Sequence, residues 1–134
     1  MKKGYVCSQY GTRGDRVANL EAAKFYCIKV IEEGKVPICP HLFYAGVLND
    51  EVKSQRAAGM EMGMELLKEC VELRIFSHLS EGMKAEILKA KEMGLPVTLA
   101  TDMSREKRKE ILRELEELMN GKKHHTEKNG SSEP

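Results

Sequence analysis

The segment Ser80-Glu81-Gly82-Met83-Lys84-Ala85-Glu86 sets a hydroxyl, a glycine and a carboxylate at a spacing suited to gripping a sugar or its phosphate. Ser80 falls where a strand pattern gives way to a helical one. Free backbone N–H groups and the helix dipole favour an anion there. The Ser80 hydroxyl can donate to that anion, and Gly82, next to Met83, allows close backbone approach. Glu86 lies four residues past Gly82, on the same helix face and about 6 Å further along the axis. That offset can set a phosphate at the helix mouth and a carboxylate against the sugar of the same nucleotide. The same residues also read as an ordinary N-cap serine and a solvated glutamate pairing with Lys89.

A second constellation, Ser8-Gln9-Tyr10-Gly11-Thr12-Arg13-Gly14-Asp15, follows the first strand pattern. Its glycines let the backbone fold round a ligand, Arg13 offers a planar fork for phosphate, and Tyr10 offers a ring face. It is neither G-x-G-x-x-G nor a Walker A loop, which argues against an ordinary dinucleotide or triphosphate site. A plain strand-to-helix turn with an exposed arginine is the alternative. Third comes Pro37-Ile38-Cys39-Pro40-His41-Leu42, where His41 can hydrogen-bond a substrate or shuttle a proton near neutral pH, although such a histidine more often simply caps a loop carbonyl. Cys39 and His41 make only half of a metal site, so no metal is expected. Met83 beside Gly82, and Asn19 and Arg56, each near a helix start, complete the candidates for substrate contact, although Asn19 and Arg56 read more readily as solvated surface.

These residues need elements to hold them. Gly4 to Ser8 reads as a first strand, and helical spacing runs from Asp15, a plausible N-cap, through Val17, Leu20, Ala23, Cys27, Ile28 and Ile31 to a stop at Gly34. Lys35 to Cys39 is a second strand, and His41 to Asp50 a loop. A helix spans about Glu51 to Cys70, Glu72 to Ser77 is a third strand, and Ser80 opens a helix that ends at Gly94. Pro96 to Thr101 is a fourth strand, and Ser104 caps a last helix, Arg105 to Met119, stopped by Asn120-Gly121. The polar stretch after Gly121, with His124-His125, lacks an apolar face and is expected to be a disordered tail. Strand and helix alternate four times, which predicts an α/β domain over residues 1 to 120. It is Rossmann-like or flavodoxin-like, in three layers, with a mainly parallel sheet of four to five strands. Ligands in such sheets bind beyond the carboxyl ends of the strands, so all three constellations share one edge.

Composition narrows the function classes. The 134 residues carry a formal net charge of +1, so no overall field draws nucleic-acid polymers or anionic membranes. Tryptophan is absent and there are three phenylalanines, too few for a stacking platform along a single strand. No apolar run approaches the roughly 20 residues of a membrane span. The N-terminus does not read as a signal peptide. Cys7, Cys27, Cys39 and Cys70 lack C-x-x-C spacing and read as reduced, buried small hydrophobes, which fits a cytoplasmic location.

Taken together, Tyr5 to Ser8 (YVCS), Tyr10, Arg13 to Asp15, Asn19, Tyr26-Cys27, Pro40 to Leu42 (PHL), Arg56, Cys70 and Ser80 to Ile87 (SEGMKAEI) resemble small phage and bacterial domains of the nucleoside 2-deoxyribosyltransferase-like superfamily. The resemblance spans roughly residues 4 to 98. It implies a Rossmann-like fold, a homodimer or larger homo-oligomer, no cofactor, and a small-molecule nucleoside or nucleotide as ligand. It also implies a kinship to 2′-deoxynucleoside 5′-phosphate N-hydrolases, whose S-x-G-x-x-x-E spacing Ser80, Gly82 and Glu86 reproduce. Glu86 would then be the nucleophile that forms a glycosyl ester, with Ser80, Gly82, Ser8 and Arg13 on a phosphate or sugar hydroxyl. The chain departs from the pattern at Gly63, where catalytic members carry an aspartate for the leaving base, and at Val71, Arg74 and Ser77. Glu61, Asp50 or His41 would have to replace that aspartate. Three functions are therefore open: an N-glycosidic enzyme working through Glu86, a catalytically silent nucleotide binder, or an interaction module. The last would use the apolar face Ile111, Leu112, Leu115 and Leu118, unless that face packs on the protein's own sheet.

Overall fold

The computed structural model describes residues 1–10 and 16–121 with their side chains, and residues 122–132 as helical backbone. Four short strands pair in parallel: β1 (Lys3–Cys7), β2 (Val36–Ile38), β3 (Glu72–Ile75) and β4 (Val97–Leu99). Their order is β2-β1-β3-β4, so among the described residues the mainly parallel sheet has four strands. Helices α1 (Arg16–Glu32), α2 (Pro40–Tyr44), α3 (Lys53–Leu67), α4 (Glu81–Glu92) and α5 (Arg105–Ser132) fill the connections and follow the last strand. This is the Rossmann-like, flavodoxin-like α/β class. The expected Asp15 cap of α1 lies outside the described residues.

Side chains alternate across the strands, and each face gathers its own core. Tyr5, Cys7, Leu73 and Ile75 face Leu67 of α3, Met83, Ile87 and Ala90 of α4, and Ile111 of α5. Val6, Phe76 and Ala100 face Ala23 and Val30 of α1. Three layers result. Burying a side chain such as Ile87 or Leu73 contributes about 1.5–3 kcal/mol, enough to hold α4 in one register over β3.

Local chemistry explains the element ends. Gly34 and Gly94 sit at φ +80° and +73°, left-handed values that cost glycine nothing, and they end α1 and α4. The stretch expected as loop from His41 begins instead with a short helix, because Pro40 presets the first-turn φ and has no N–H to leave unpaired. The last helix does not stop at Asn120-Gly121 but continues to Ser132. Glycine inside a helix costs about 1 kcal/mol relative to alanine and does not forbid it. Side chains of the polar tail, His124-His125 included, lie outside the described residues.

Two apolar faces turn out differently from their periodicity. On α1 the buried residues are Ala23 and Val30, while Val17, Ile28 and Ile31 are exposed and Cys27, expected to be buried like the other cysteines, is only partly so. Apolar residues occur nearly all round this helix, so spacing alone does not choose the buried side. On α5, Ile111 is fully buried and Leu115 and Leu118 pack against the same core, leaving Leu112 half exposed. That face covers the protein's own sheet. Arg74, a charge within β3, is accommodated by Glu33 and by Thr98, whose Oγ1 accepts from Nη1 at 3.1 Å.

Candidate functional site

The order of the sheet reverses between β1 and β3: β1 leads to α1 on one face, and β3 leads to α4 on the other. Open α/β sheets leave a crevice at such a point, outside the strand ends. A cavity of about 420 Å³ occupies it, walled by α2, α3 and the N-terminus of α4. Its volume falls in the range of about 300–1,000 Å³ usual for small-molecule sites.

Glu86 forms the inner end. Although glutamate is seldom buried, this one is 8 % exposed. It lies on the α4 face that also carries Met83, Ile87 and Ala90 into the core. The Tyr5 hydroxyl donates to its Oε2 and the Cys7 thiol donates to its Oε1 at 3.6 Å. Burial pushes the carboxyl up to about 7, with the two hydrogen bonds opposing that rise. Burial, and then the Glu86 charge, push the Tyr5 hydroxyl and the Cys7 thiol above their ordinary values, so both remain protonated donors. A carboxyl balanced near neutrality can act as nucleophile or exchange a proton.

The α4 N-terminus forms the mouth. Ser80 is its N-cap, and its hydroxyl oxygen accepts from the Met83 backbone N–H at 3.3 Å. A side chain on Gly82 would meet nothing within 4 Å, so the space beside it is open. Across the cavity, α3 contributes Arg56, Met60 and the two glycines Gly59 and Gly63. A Cβ on Gly63 would lie 3.4 Å from the Tyr5 hydroxyl and 3.7 Å from Pro40 Cγ, so the absence of one keeps this wall set back from Glu86.

The remaining wall is aromatic. The Tyr10 and His41 rings stack with centroids 4.7 Å apart and planes 12° from parallel. The Arg16 guanidinium lies 5.0 Å from the Tyr10 centroid and 3.7 Å from Asp50, tying the β1 exit to the α2–α3 loop. His41 Nε2 is 3.1 Å from the Ser8 carbonyl. A carbonyl only accepts, so Nε2 carries the proton. Burial pushes the His41 pKa below its ordinary value, which keeps the ring neutral at pH 7.

The cavity thus gathers Tyr10, His41, Arg56, Ser80, Gly82, Met83 and Glu86 from the sequence candidates. Ser8 and Asn19 stand behind its wall. The Ser8 carbonyl orients His41 while its buried hydroxyl has no partner among the described residues, and Asn19 Nδ2 donates to the Tyr10 carbonyl at 3.0 Å. Arg13 lies outside the described residues. Of the candidate replacements for the missing aspartate, His41 and Asp50 line the cavity, whereas Glu61 is exposed outside it. Glu86 binds Tyr5 and not Lys89, while Ser80 does cap its helix. Sequence reasoning missed Tyr5 and Cys7 as partners of Glu86. Part of the signal was available, because residues 5 and 7 share one strand face, but which helix that face meets is decided by the tertiary fold.

Among the described residues no three His, Cys, Asp or Glu side chains cluster as a metal site would require, and no helix is long and apolar enough to cross a membrane. A family model described as Domain of unknown function (DUF7768) matches residues 2–100, the span from β1 to β4 that contains the whole cavity. No curated protein matches the chain.

Proposed function

Because the chain belongs to the family described as Domain of unknown function (DUF7768), we propose its function from the cavity: it binds a nucleoside or nucleotide and cleaves or transfers its N-glycosidic bond through Glu86. The observation that carries this reading is a buried carboxyl at the inner end of a cavity whose mouth is a capped helix N-terminus. The resemblance to nucleoside 2-deoxyribosyltransferases points the same way. In the first step a Glu86 carboxylate oxygen bonds to the anomeric carbon as the bond to the base nitrogen breaks. The base departs with the electron pair and takes up a proton from solvent. In the second step water or another base attacks the same carbon and gives up a proton as the bond to the Glu86 oxygen breaks, which frees the sugar or the new nucleoside and restores the carboxylate. The Tyr10–His41 stack offers a face for a base, and Ser80, Gly82 and Arg56 offer donors or room for a 5′ hydroxyl or phosphate.

The test is to incubate the protein with deoxynucleosides and their 5′-monophosphates and to follow free base by chromatography. Base release that disappears in Glu86→Gln supports the enzyme. A second reading is a binder without turnover, and Gly63 favours it, since no side chain there can protonate a leaving base. General-acid help of this kind is worth about 10²–10⁴-fold. Saturable binding with no base released supports the binder, and neither binding nor release sinks both.

A further inference from the structure

We infer that Cys7 is a positioning residue that fixes the orientation of the Glu86 carboxyl by donating to its Oε1, an inference that takes the proposed role of Glu86 as its premise. The two oxygens of this carboxyl are held unequally. Tyr5 gives Oε2 a phenolic donor in close contact, which draws electron density from it. Cys7 gives Oε1 a thiol at 3.6 Å, and a thiol is a weak donor. Each oxygen is thereby fixed in direction by its own donor, the phenol on Oε2 and the thiol on Oε1. Both donors come from alternate positions on β1, so one strand sets the plane of the carboxyl.

Packing alone does not require sulfur here. Cys7 is fully buried among Tyr5, Ile75 and Met83, where an apolar side chain of similar size would fill the space. An apolar residue would leave Oε1 buried without a protein donor. The groups that face Glu86 are few. Tyr5 and Cys7 come from β1, Cys39 acts through space from the start of α2, and His41, Asp50, Arg56 and Glu81 line the cavity it opens on. Cys7 alone among these contacts Oε1.

The experiment reads the thiol directly. The infrared S–H stretching band of Cys7, assigned as the band lost in Cys7→Ala, is followed in wild type across pH 5 to 9. It is expected to shift to lower frequency as Glu86 ionises, with the midpoint seen by ¹³C NMR of the Glu86 carboxyl, and to lose that pH dependence in Glu86→Gln. Cys7→Ala is expected to raise the carboxyl midpoint by about half a pH unit or more, the size of one lost weak hydrogen bond. With substrate, kcat should fall in Cys7→Ala while KM stays near wild type. A thiol band that ignores pH, or a carboxyl midpoint unmoved in Cys7→Ala, overturns the inference. If Cys7→Ala does not fold, Cys7→Ser supplies the band assignment in its place, and the wild type and Glu86→Gln spectra then decide it. Should wild type release no base, the enzyme reading fails by itself, because the spectroscopic result needs no substrate.

Discussion

A methyl group built on Gly63 would stand 3.4 Å from the Tyr5 hydroxyl, at the near edge of van der Waals contact. Gly63 of α3 lines the cavity beside Glu86 with the buried Tyr5 of β1 packed behind it, and the size of residue 63 sets how deep a ligand can reach. Gly63→Ala should fold and even gain up to about 1 kcal/mol from helix propensity. Gly63→Leu should fill the inner cavity and weaken deoxynucleoside binding by roughly tenfold or more, equivalent to about 1.4 kcal/mol. Calorimetric titration of the three proteins checks this, and equal affinity in Gly63→Leu would place the ligand elsewhere.

The Glu86 carboxyl makes stability depend on pH. Its value rises from an ordinary 4.5 to about 7 in the folded chain. Between those values the folded chain keeps a proton that the unfolded chain has released, so stability falls as pH rises through this window and levels off above it. The whole effect is on the order of 3 kcal/mol. Glu86→Gln should remove the slope and be more stable than wild type at pH 8, while losing any base release. His41, whose pKa burial lowers, contributes the opposite slope below its ordinary value, but equally in both proteins. Urea denaturation of the pair at pH 5 and pH 8 gives the difference. A difference that does not change with pH would mean that the carboxyl is solvated.

Tyr5→Phe tests the phenolic donor. At pH 8 the buried carboxylate would keep only the thiol, and a loss of about 1–3 kcal/mol is expected. At pH 5 the protonated carboxyl needs the donor less and the loss should shrink. The carboxyl midpoint should move above its wild type value, since the Tyr5 hydrogen bond lowers it. Equal destabilisation at both pH values would reduce Tyr5 to a packing residue.

Ser80 has a cap role and a proposed ligand role, and two substitutions separate them. Ser80→Ala removes the acceptor for the Met83 N–H and should cost about 1 kcal/mol, whereas Ser80→Gly should cost only a few tenths. Both delete the hydroxyl at the cavity mouth. If the hydroxyl holds a sugar or phosphate, Ser80→Gly loses affinity with little loss of melting temperature. Unchanged affinity in Ser80→Gly confines Ser80 to capping.

Much of the frame was legible because it depends on neighbours a few residues away. The glycine stops of α1 and α4, the Ser80 cap and the alternation of strand and helix all follow from local spacing. Less was legible where one pattern admits several partners. The periodicity of α1 could not say which side would meet the sheet, and the helical turn at Pro40 was hidden in a stretch that reads as loop. Asn19 illustrates the same limit in the site. Its type suits a ligand, but the Tyr10 carbonyl nine residues away engages one of its N–H groups and Asn19 does not line the cavity.

Residue order by itself determined that a parallel α/β sheet would form and that Ser80, Gly82 and Glu86 would share one helix at a strand exit. Only tertiary structure decided that Glu86 is buried, because its partner Tyr5 is 81 residues distant and meets it through sheet register and helix packing. Burial in turn decides the protonation of Glu86. The cost of removing charge from water depends on everything packed around the carboxyl, and no single segment of the chain contains that information.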